Sequence, residues 1–479
     1  MGGVKEAAIS VIRTLREHGH DAYLVGGCVR DLLLGREPAD YDISTDATPR
    51  EVMRIFPETY AVGAQFGVVL VPIDGLTARD LEEAATWVTD KNVRPTQNVL
   101  TKQDDTPSEA AKHNAIEVAT FRSDGLYSDG RHPDEVRFSK TAEEDVQRRD
   151  FTINGLLLDP LDDDRVIDYV GGRADLDAGV IRTIGDPERR FAEDKLRMLR
   201  AVRFAARFEY QIDPATFAAI QRLAPQIHQV SRERIREELT KILTEGHARR
   251  AFELLEESRL LHEVLPEIEK MKGVEQPPEY HPEGDVWVHT LGLLEKLAAG
   301  CSRTLAWGSL LHDVGKPATF RVAPDRIRFD GHVEVGVAMA RDICHRLRMS
   351  NEDTEQIVAL VNNHMKFADT PKMKESTLKR FMRLPRFDEH LALHRLDCLS
   401  SHANLSLYEF VAKKRAETPA EEIRPKPLVT GADLIALGHE PGPRFKEILA
   451  AVEDQQLEGE LTSREAALKF VRRKFPVVS

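Results

Sequence analysis

The sequence predicts an α+β protein, in which a small mixed α/β region is followed by a long, mostly helical region. Short aliphatic runs alternate with amphipathic helical patterns over roughly the first 150 residues, as is typical of a mixed sheet with packed helices. From about Arg189 onward the hydrophobic pattern is helical and stays helical. The proline- and glycine-rich segment 275–285 interrupts this second region and predicts a linker.

The first elements follow from local hydrophobic spacing. Residues 4–18 have the pattern of an amphipathic helix and residues 21–25 that of a buried strand, and the next helix is expected to begin near Cys28. The polar segment 76–114 has no strong apolar period, so we expect an inserted surface excursion that is partly disordered.

A third helix has a clear predicted start. Thr48 can cap it, Pro49 suits its first position, and Glu51 can close a capping box with the threonine. Two aliphatic runs, 66–73 and 116–121, predict core strands. The first region therefore reads as a small sheet with helices between its strands.

Composition limits the function classes. A chain of 479 residues predicts two to four domains, and its net charge of −13 disfavours broad nonspecific binding to nucleic acid. Basic residues are nevertheless concentrated locally: residues 181–209 hold eight basic and five acidic residues, and residues 461–479 hold five basic and one acidic. An RNA could therefore meet local basic surface on an acidic protein.

The four cysteines are far apart and form no CxxC pair, which predicts free thiols in a reducing cytoplasm. The first residues contain no apolar run of a signal peptide, and no apolar run approaches membrane-spanning length. We therefore expect a soluble cytoplasmic protein that is not associated with a membrane.

One short stretch, "YLVGGCVRDLLLGREPADYDIST" at 23–45, combines three features that suit a triphosphate. On a strand, Asp40 and Asp42 would share one face, and two adjacent carboxylates require a cation such as Mg²⁺ between them. The backbone at Gly27 can approach phosphate oxygens closely, and Arg30 on the following helix could clamp a phosphate. A glycine pair or two alternating aspartates alone would indicate only a turn and solvated side chains.

The first region resembles the class II tRNA nucleotidyltransferases, the CCA-adding enzymes, and their relatives the bacterial poly(A) polymerases. The resemblance covers residues 4 to about 245 and implies a polymerase beta-like head. It identifies Asp40 and Asp42 as the pair that binds Mg²⁺. The segment "RRDFTING" at 148–155 resembles the second motif of the family, which usually has alanine where this chain has Gly155, and it implies that Arg149 binds the incoming nucleotide.

Two later segments also resemble family motifs. Residues 168–187 resemble the third motif, a hinge between head and neck, and "EDKLRMLRAVR" at 193–203 resembles the fourth. The resemblance implies that Asp194 and Arg197 read the base edge of CTP or ATP. It implies that two further arginines hold the nucleotide or neighbouring structure: Arg200 and Arg203.

The chemistry of the fourth motif can also be argued from the residues themselves. An aspartate and an arginine one helical turn apart offer an acceptor and a donor, which suit the exocyclic amine and ring acceptor of cytosine or adenine. A salt-bridged surface helix is the more common fate of such charges. Glu117 could be a third carboxylate of the metal site or a partner of a nearby arginine, and both readings stay open. The polar segment 122–135 resembles the loop that implies addition of the terminal A.

A second set of residues suggests a metal centre in the helical region. Imidazoles and carboxylates of helices can bind a divalent ion that activates water. The set in order is His289, His312, Asp313, His332, His364 and Asp397. It resembles the HD phosphohydrolase superfamily, which implies phosphomonoester or cyclic phosphodiester substrates, and imidazole ligands favour Mn²⁺, Ni²⁺ or Co²⁺. A remnant fold kept for packing or RNA contact is the alternative.

These observations divide the chain into five predicted regions. They are a head at 1–160 with the insertion at 76–114, a helical neck at 161–245 that binds nucleotide and RNA, a connection at 246–284, an HD domain at 285–400 and a helical tail at 401–479.

The predicted function is template-independent addition or repair of the CCA end of tRNA from CTP and ATP, with a second, phosphohydrolase activity predicted for the HD domain. One alternative is a poly(A) polymerase, whose usual basic C-terminal extension is longer than the basic end at 464–479. The other is an HD phosphohydrolase whose first domain only binds RNA, which the intact glycine and aspartate motifs oppose. The oligomeric state is not predicted.

Overall fold

The computed structural model describes residues 2–56, 59, 67–73, 115–124, 136–279 and 281–477. The chain divides into two compact units. The first unit is Met1–Glu238 with Glu253–Val264, and the second unit is Leu239–Phe252 with Leu265–Ser479. The predicted insertion at 76–114 and most of the predicted loop at 122–135 lie outside the described residues.

The first unit is built on a mixed sheet. The described strands of this unit, in chain order, are β1 (Ala22–Val25), β2 (Asp42–Thr45), β3 (Val68–Pro72), β4 (Ala115–Thr120), β5 (Arg122–Asp124), β6 (Val136–Phe138), β7 (Leu156–Asp159), β8 (Arg165–Asp168), β9 (Val180–Ile181) and β10 (Gln211–Ile212). Six of them form one sheet in the order β3-β4-β2-β1-β7-β8. Strands β2 and β4 are parallel, and the other neighbours in this sheet are antiparallel. The predicted mixed sheet is confirmed, and it continues past residue 160 to Asp168.

Helices surround this sheet and continue beyond it. They are α1 (Gly2–Glu17), α2 (Gly27–Leu33), α3 (Pro49–Ile55), α4 (Ala142–Gln147), α5 (Gly172–Ala178), α6 (Pro187–Glu193), α7 (Leu196–Phe208), α8 (Pro214–Leu223), α9 (Arg232–Thr244), α10 (Ala248–Glu257) and α11 (Leu260–Val264). Short 3₁₀ turns occupy Thr152–Asn154 and Ala224–Gln229. The capping box of α3 is confirmed, since the Thr48 backbone N–H donates to Glu51 Oε2 at 2.8 Å.

The second unit is almost entirely helical in its described part. Its elements are α12 (Pro266–Glu269), α13 (Val286–Glu295), α14 (Arg303–Leu311), α15 (Lys316–Thr319), β11 (Arg321–Val322), β12 (Ile327–Arg328), α16 (His332–Arg346), α17 (Asn351–Asn363), α18 (Glu375–Met382), α19 (Phe387–Ser400), α20 (Ser406–Glu417), α21 (Ala420–Ile423), α22 (Gly431–Ala436), α23 (Pro443–Leu457) and α24 (Arg464–Lys474). A 3₁₀ segment, His364–Lys372, follows α17. The short antiparallel pair β11–β12 precedes α16.

The predicted linker at 275–285 contains neither helix nor strand among its described residues. Near the C-terminal end, α22, α23 and α24 pack around a hydrophobic cluster that includes Leu434, Ile448 and Val471. No helix within the described ranges is both long enough and apolar enough to cross a bilayer.

Candidate functional site

The glycine turn lies at the junction between β1 and α2. Gly26 has φ +78°, a conformation that side chains disfavour, and it caps the N-terminus of α2. A Cβ atom on Gly26 would lie 3.1 Å from Nη1 of Arg149, so this guanidinium group lies directly against the turn. The structure thus brings together the first and second predicted motifs, which are far apart in sequence.

Carboxylates line the edge of the sheet beside this turn. Leu24 of β1 lies opposite Ile43 of β2, so the start of β2 at Asp42 lies next to the end of β1. Asp42 is also in register with Glu117 on the parallel strand β4, and both side chains are half-buried. Register partners on parallel strands face the same side, so the register favours Glu117 as a third carboxylate of this edge.

The predicted placement of Asp40 needs correction. Strand β2 begins at Asp42, so Asp40 lies in the exposed loop before the strand and does not share a strand face with Asp42. A donor set of two or three carboxylate side chains still fits a hard cation such as Mg²⁺, which prefers oxygen ligands and retains several waters.

A buried acid holds the two arginines of the second motif. Asp145 on α4 accepts hydrogen bonds from Arg148 at 2.7 Å and from Arg149 at 3.1 Å, and it also accepts the Ser44 hydroxyl of β2 at 3.1 Å. Burial raises the pKa of Asp145, but the charges of Arg148 and Arg149 outweigh it and lower the pKa to about 2. Sequence reasoning missed Asp145, although its spacing of four residues from Arg149, which lies just past the end of α4, was a usable signal.

Arg30 is buried beside the glycine turn, where a Cβ atom on Gly27 would lie 3.6 Å from its Nη2. Only 4% of the residue is exposed, and its guanidinium donates to Asn154 Oδ1 at 2.6 Å and to Asp31 Oδ1 at 2.8 Å. The same group lies 4.6 Å from the ring centroid of Phe208. Through these contacts Arg30 ties the helix after the glycine turn to the second motif, and its contact with phosphate stays a prediction.

The fourth motif spans a break between two helices, which corrects the prediction that Asp194 and Arg197 lie on one helix. Helix α6 ends at Glu193, Asp194 is extended with φ −146°, and α7 begins at Leu196. The carboxylate of Asp194 accepts from the Leu196 backbone N–H at 3.0 Å and from Arg234 at 2.7 Å. The two residues are therefore positioned by different elements.

Arg197 lies against the second motif. It donates to Glu193 at 2.8 Å and to the carbonyl of Arg148 at 3.1 Å. Sequence reasoning missed Glu193 and Arg234, which hold the predicted base-reading pair. The first of these is four residues from Arg197 and detectable from spacing, whereas the second comes from α9 and depends on tertiary packing.

The two remaining arginines of α7 contact protein groups. Arg200 donates to Asp150 Oδ2 at 2.6 and 2.8 Å, and Asp150 Oδ1 also accepts from Asn154 at 3.0 Å. Arg203 forms a buried ion pair with Glu238. The resemblance implied that these two arginines hold either the nucleotide or neighbouring structure. The observed contacts match the second of these roles.

The predicted histidine cluster is assembled in the second unit around the carboxylate of Asp313. Oδ2 of Asp313 lies 3.8 Å from Nε2 of His289 and 3.2 Å from Nε2 of His312. Oδ1 of Asp313 lies 3.9 Å from Nε2 of His332 and 3.7 Å from Nε2 of His364. Asp397 Oδ1 lies 3.1 Å from Nε2 of His289. All six predicted ligand residues are therefore brought together.

The cluster consists of two groups that share one carboxylate. His289, His312 and Asp313 have ligand atoms close enough to hold one ion, and Asp313, His332 and His364 form a second such group. Nε2 of both His332 and His364 is buried without a hydrogen-bond partner. Buried imidazole nitrogens normally have a partner, so this donor set fits a bound transition metal.

Neighbouring charges and hydrogen bonds shift the pKa values of the cluster. Burial raises the pKa of Asp313, but the charges of His312 and Lys316 outweigh it and hold the pKa well below its ordinary value. Burial lowers the pKa of His289, yet hydrogen bonds to Asp397 and Glu283 raise it to about 9. Lys316, whose Nζ lies 2.7 Å from Asp313 Oδ2, was not singled out from the sequence.

A cavity of about 510 Å³ opens onto this cluster. Its lining combines apolar side chains, three cations and the carboxylate of Asp330, in addition to the cluster itself. They include Ile327, Phe329, Met365, Lys316, Arg326 and Arg328. An organic molecule with a negatively charged group suits such a lining.

Comparison with known proteins supports this organisation. The chain matches the Poly A polymerase head domain at residues 22–109 and 91–182, and the probable RNA and SrmB-binding site of polymerase A at residues 209–272. It also matches the HD domain at residues 286–400. The three matched regions coincide with the sheet, the helices that follow it, and the histidine cluster.

Similar proteins carry a common name. The CCA-adding enzyme of Geobacillus stearothermophilus is 40% identical over 255 residues, which are 53% of this chain and 53% of the relative. That of Bacillus pumilus is 36% identical over 299 residues, 61% of this chain and 64% of the relative. The chain therefore spans about half the length of the first of these relatives. A crystal structure of the Bacillus stearothermophilus CCA-adding enzyme in complex with CTP matches 99% of both chains, with TM-score 0.69 and 27% identity.

Proposed function

We propose that this chain, which belongs to the family of CCA-adding enzymes and poly(A) polymerases, adds or repairs the 3′-terminal CCA of tRNA from CTP and ATP. The observation that carries the proposal is the contact between Arg149 and the glycine turn, beside the carboxylates of β2 and β4. In support of the proposal, a cation, the backbone of a glycine turn and carboxylate oxygens that could bind a metal lie at one end of the sheet. This is the arrangement that a triphosphate requires.

The chain's own residues divide the work of this site. The turn at Gly26 and Gly27 lets backbone approach the phosphates, and Arg149 offers charge beside them. Asp194 and Arg197 supply an acceptor and a donor for the base edge, and their partners Arg234 and Glu193 keep them oriented. The preorganised pair is complementary to cytosine and adenine and leaves donors or acceptors unpaired with guanine and uracil.

Asp40 and Asp42, with Glu117 beside them, are the residues that would hold Mg²⁺. When bound, Mg²⁺ offsets the negative charge of the triphosphate and favours the ionised form of an attacking hydroxyl. The position of Asp40 in the loop before β2 allows this carboxylate to adjust when an ion and a nucleotide enter.

The experiment uses the purified protein with Mg²⁺ and tRNAs that lack A, CA or CCA, each incubated with CTP, ATP or both. Addition of two C and one A, and then arrest, would support the proposal. Long adenylate tails on any RNA would support the poly(A) polymerase alternative. Failure to incorporate either nucleotide, with the substrates intact, would contradict both.

We further propose that the second unit is a metal-dependent phosphohydrolase of the HD type. The supporting observation is the convergence of all six predicted ligand residues below a cavity with cationic lining. His289, His312, Asp313, His332, His364 and Asp397 would hold Mn²⁺, Ni²⁺ or Co²⁺, which would lower the pKa of a bound water. Phosphomonoesters or cyclic phosphodiesters are the proposed substrates, and the cavity's cations would pair with the phosphate.

This second activity is tested with p-nitrophenyl phosphate and a 2′,3′-cyclic nucleotide in the presence of each of these metals and of Mg²⁺. Hydrolysis that a chelator abolishes and a transition metal restores would support the proposal. Metal binding without hydrolysis of any phosphoester would contradict it. The free state of all four thiols fits our proposal that the protein works in the cytoplasm.

A further inference from the structure

The four imidazoles of the cluster turn Nε2 toward its centre, and each has Nδ1 held from behind. In three of them the acceptor is a neutral backbone carbonyl three residues earlier in the chain. The contacts of Nδ1 are His312 to Ser309 O at 2.9 Å, His332 to Phe329 O at 2.9 Å and His364 to Val361 O at 2.7 Å. Since a carbonyl accepts only, Nδ1 carries the proton and Nε2 is the available ligand atom.

His289 is held differently. Its Nδ1 donates to a carboxylate oxygen, Glu283 Oε1, at 2.6 Å. The carbonyl three residues before it, that of Val286, instead accepts the hydroxyl of Thr290 at 2.8 Å. His289 is thus the histidine of the cluster whose outer nitrogen faces a negative charge, although its ring is completely buried.

Glu283 is itself held in place. Its Oε1 also accepts from Nδ1 of His281 at 3.0 Å, and the His281 ring packs edge-on against His289 with centroids 4.9 Å apart. Its other oxygen, Oε2, is buried without a hydrogen-bond partner. Both residues belong to the irregular segment before α13, and they precede the region at 286–400 that matches the HD domain.

We propose that Glu283 is a positioning residue, which makes Nε2 the ligand atom of His289 and strengthens this imidazole as a donor to the ion held with His312 and Asp313. A carboxylate behind a ligating imidazole fixes the ring orientation and increases its donor strength. His281 and Glu283, which the sequence predicts to lie in a linker, are then parts of the metal centre. The inference rests on the proposed metal site of the second unit.

Two variants of Glu283 separate charge from geometry. Glu283→Gln keeps an oxygen that can accept from Nδ1 but removes the charge, and Glu283→Ala removes both. The matched control is Glu279→Gln, the same substitution at an exposed residue four positions earlier. The full chain is titrated with Co²⁺ alone, and binding is followed by calorimetry and by the visible absorption of the ion.

We expect Glu283→Ala to weaken Co²⁺ binding by roughly 10- to 100-fold, the usual effect of losing such an outer partner, and Glu283→Gln to weaken it less. Glu279→Gln should bind as the wild type does. In the Zn²⁺-loaded protein, ¹⁵N shifts should report a protonated Nδ1 at His289 in the wild type and a mixture of ring states in Glu283→Ala. A change that only loosened packing would leave the glutamine variant with wild-type affinity and ring state.

Wild-type Co²⁺ affinity in both Glu283 variants would overturn the inference while leaving the metal site intact. If the wild type itself binds no Co²⁺, the proposed phosphohydrolase site fails and this inference fails with it. Circular dichroism shows whether Glu283→Ala folds, and if it does not, the glutamine variant alone decides. Unchanged Co²⁺ affinity and an unchanged ring state of His289 in Glu283→Gln would contradict the role of the charge.

Discussion

In the first unit, the cations Arg148, Arg149 and Arg197 are each held by a protein carboxylate, and the carboxylates that we propose to bind Mg²⁺ are half-buried or exposed. In the second unit the imidazoles of His289, His312 and His364 are almost fully buried and converge on one aspartate. The first arrangement suits a substrate that brings its own negative charge and leaves after each step. The second suits an ion that stays, because its donors are already desolvated and oriented.

The comparison is tested most severely at the carboxylates of the first unit. Asp40→Ala or Asp42→Ala should reduce nucleotide addition by at least about 10³-fold, since the loss of a metal ligand removes several kcal/mol of charge stabilisation. Binding of tRNA, measured by filter retention, should persist, because basic surface supplies that affinity. Measurable incorporation by the double variant would break the assignment.

The independence of the two proposed sites is tested by changing residues of the second unit instead. His312→Ala combined with Asp313→Ala should abolish hydrolysis and Co²⁺ binding, because it removes two of the proposed ligands, one of which is the carboxylate shared by both groups. Nucleotide addition on Mg²⁺ should remain near the wild-type rate, since no ligand residue is common to the two sites. Both activities are assayed on one preparation. Loss of CCA addition in a folded variant would show that the sites are coupled.

Removing a buried charge from the first unit should lower the free energy of unfolding. Arg203 and Glu238 form an ion pair in which both residues are at least 94% buried. Arg203→Ala breaks this buried ion pair and removes a cation from beside the Glu238 carboxylate, so we expect a loss of about 3–5 kcal/mol in the free energy of unfolding. Urea unfolding measures it, with Arg222→Ala as the exposed control, whose pair with Glu188 should contribute less than about 1 kcal/mol. Equal losses in both variants would contradict the burial argument.

The smallest expected effect concerns base choice. Arg197→Ala should narrow the preference for CTP and ATP over UTP and GTP by about 10- to 100-fold, the usual effect of losing one base-edge contact. Arg234→Ala should act in the same direction but less strongly, because Asp194 keeps its contact with the Leu196 backbone. Ratios of kcat/KM for single nucleotides measure both. If Arg197→Ala rejects UTP and GTP as strongly as the wild type does, Arg197 does not read the base.

Several features followed directly from local sequence. The start of α3 was predicted from Thr48, Pro49 and Glu51, and its capping box is present. The glycine pair predicts the turn at Gly26, and the order of histidines and aspartates along the helical region predicts that six of them share one site. Such features depend on neighbours within about four residues, or on the identity of side chains that a metal selects, so spacing and residue type suffice.

Other features depended on the tertiary structure. The sequence suggested that Arg30 binds phosphate, but it did not show that Asn154, which is 124 positions away, accepts a hydrogen bond from it. It suggested one helix through Asp194 and Arg197, but the extended residue between α6 and α7 turns Asp194 toward Arg234. The sequence suggested that Glu283 lies in a linker, whereas the structure places its carboxylate 2.6 Å from Nδ1 of His289. The sequence by itself determined which charges and turns exist. Only packing determined which groups are paired, because a buried charge takes whichever opposite charge or polar partner folding brings within hydrogen-bond distance.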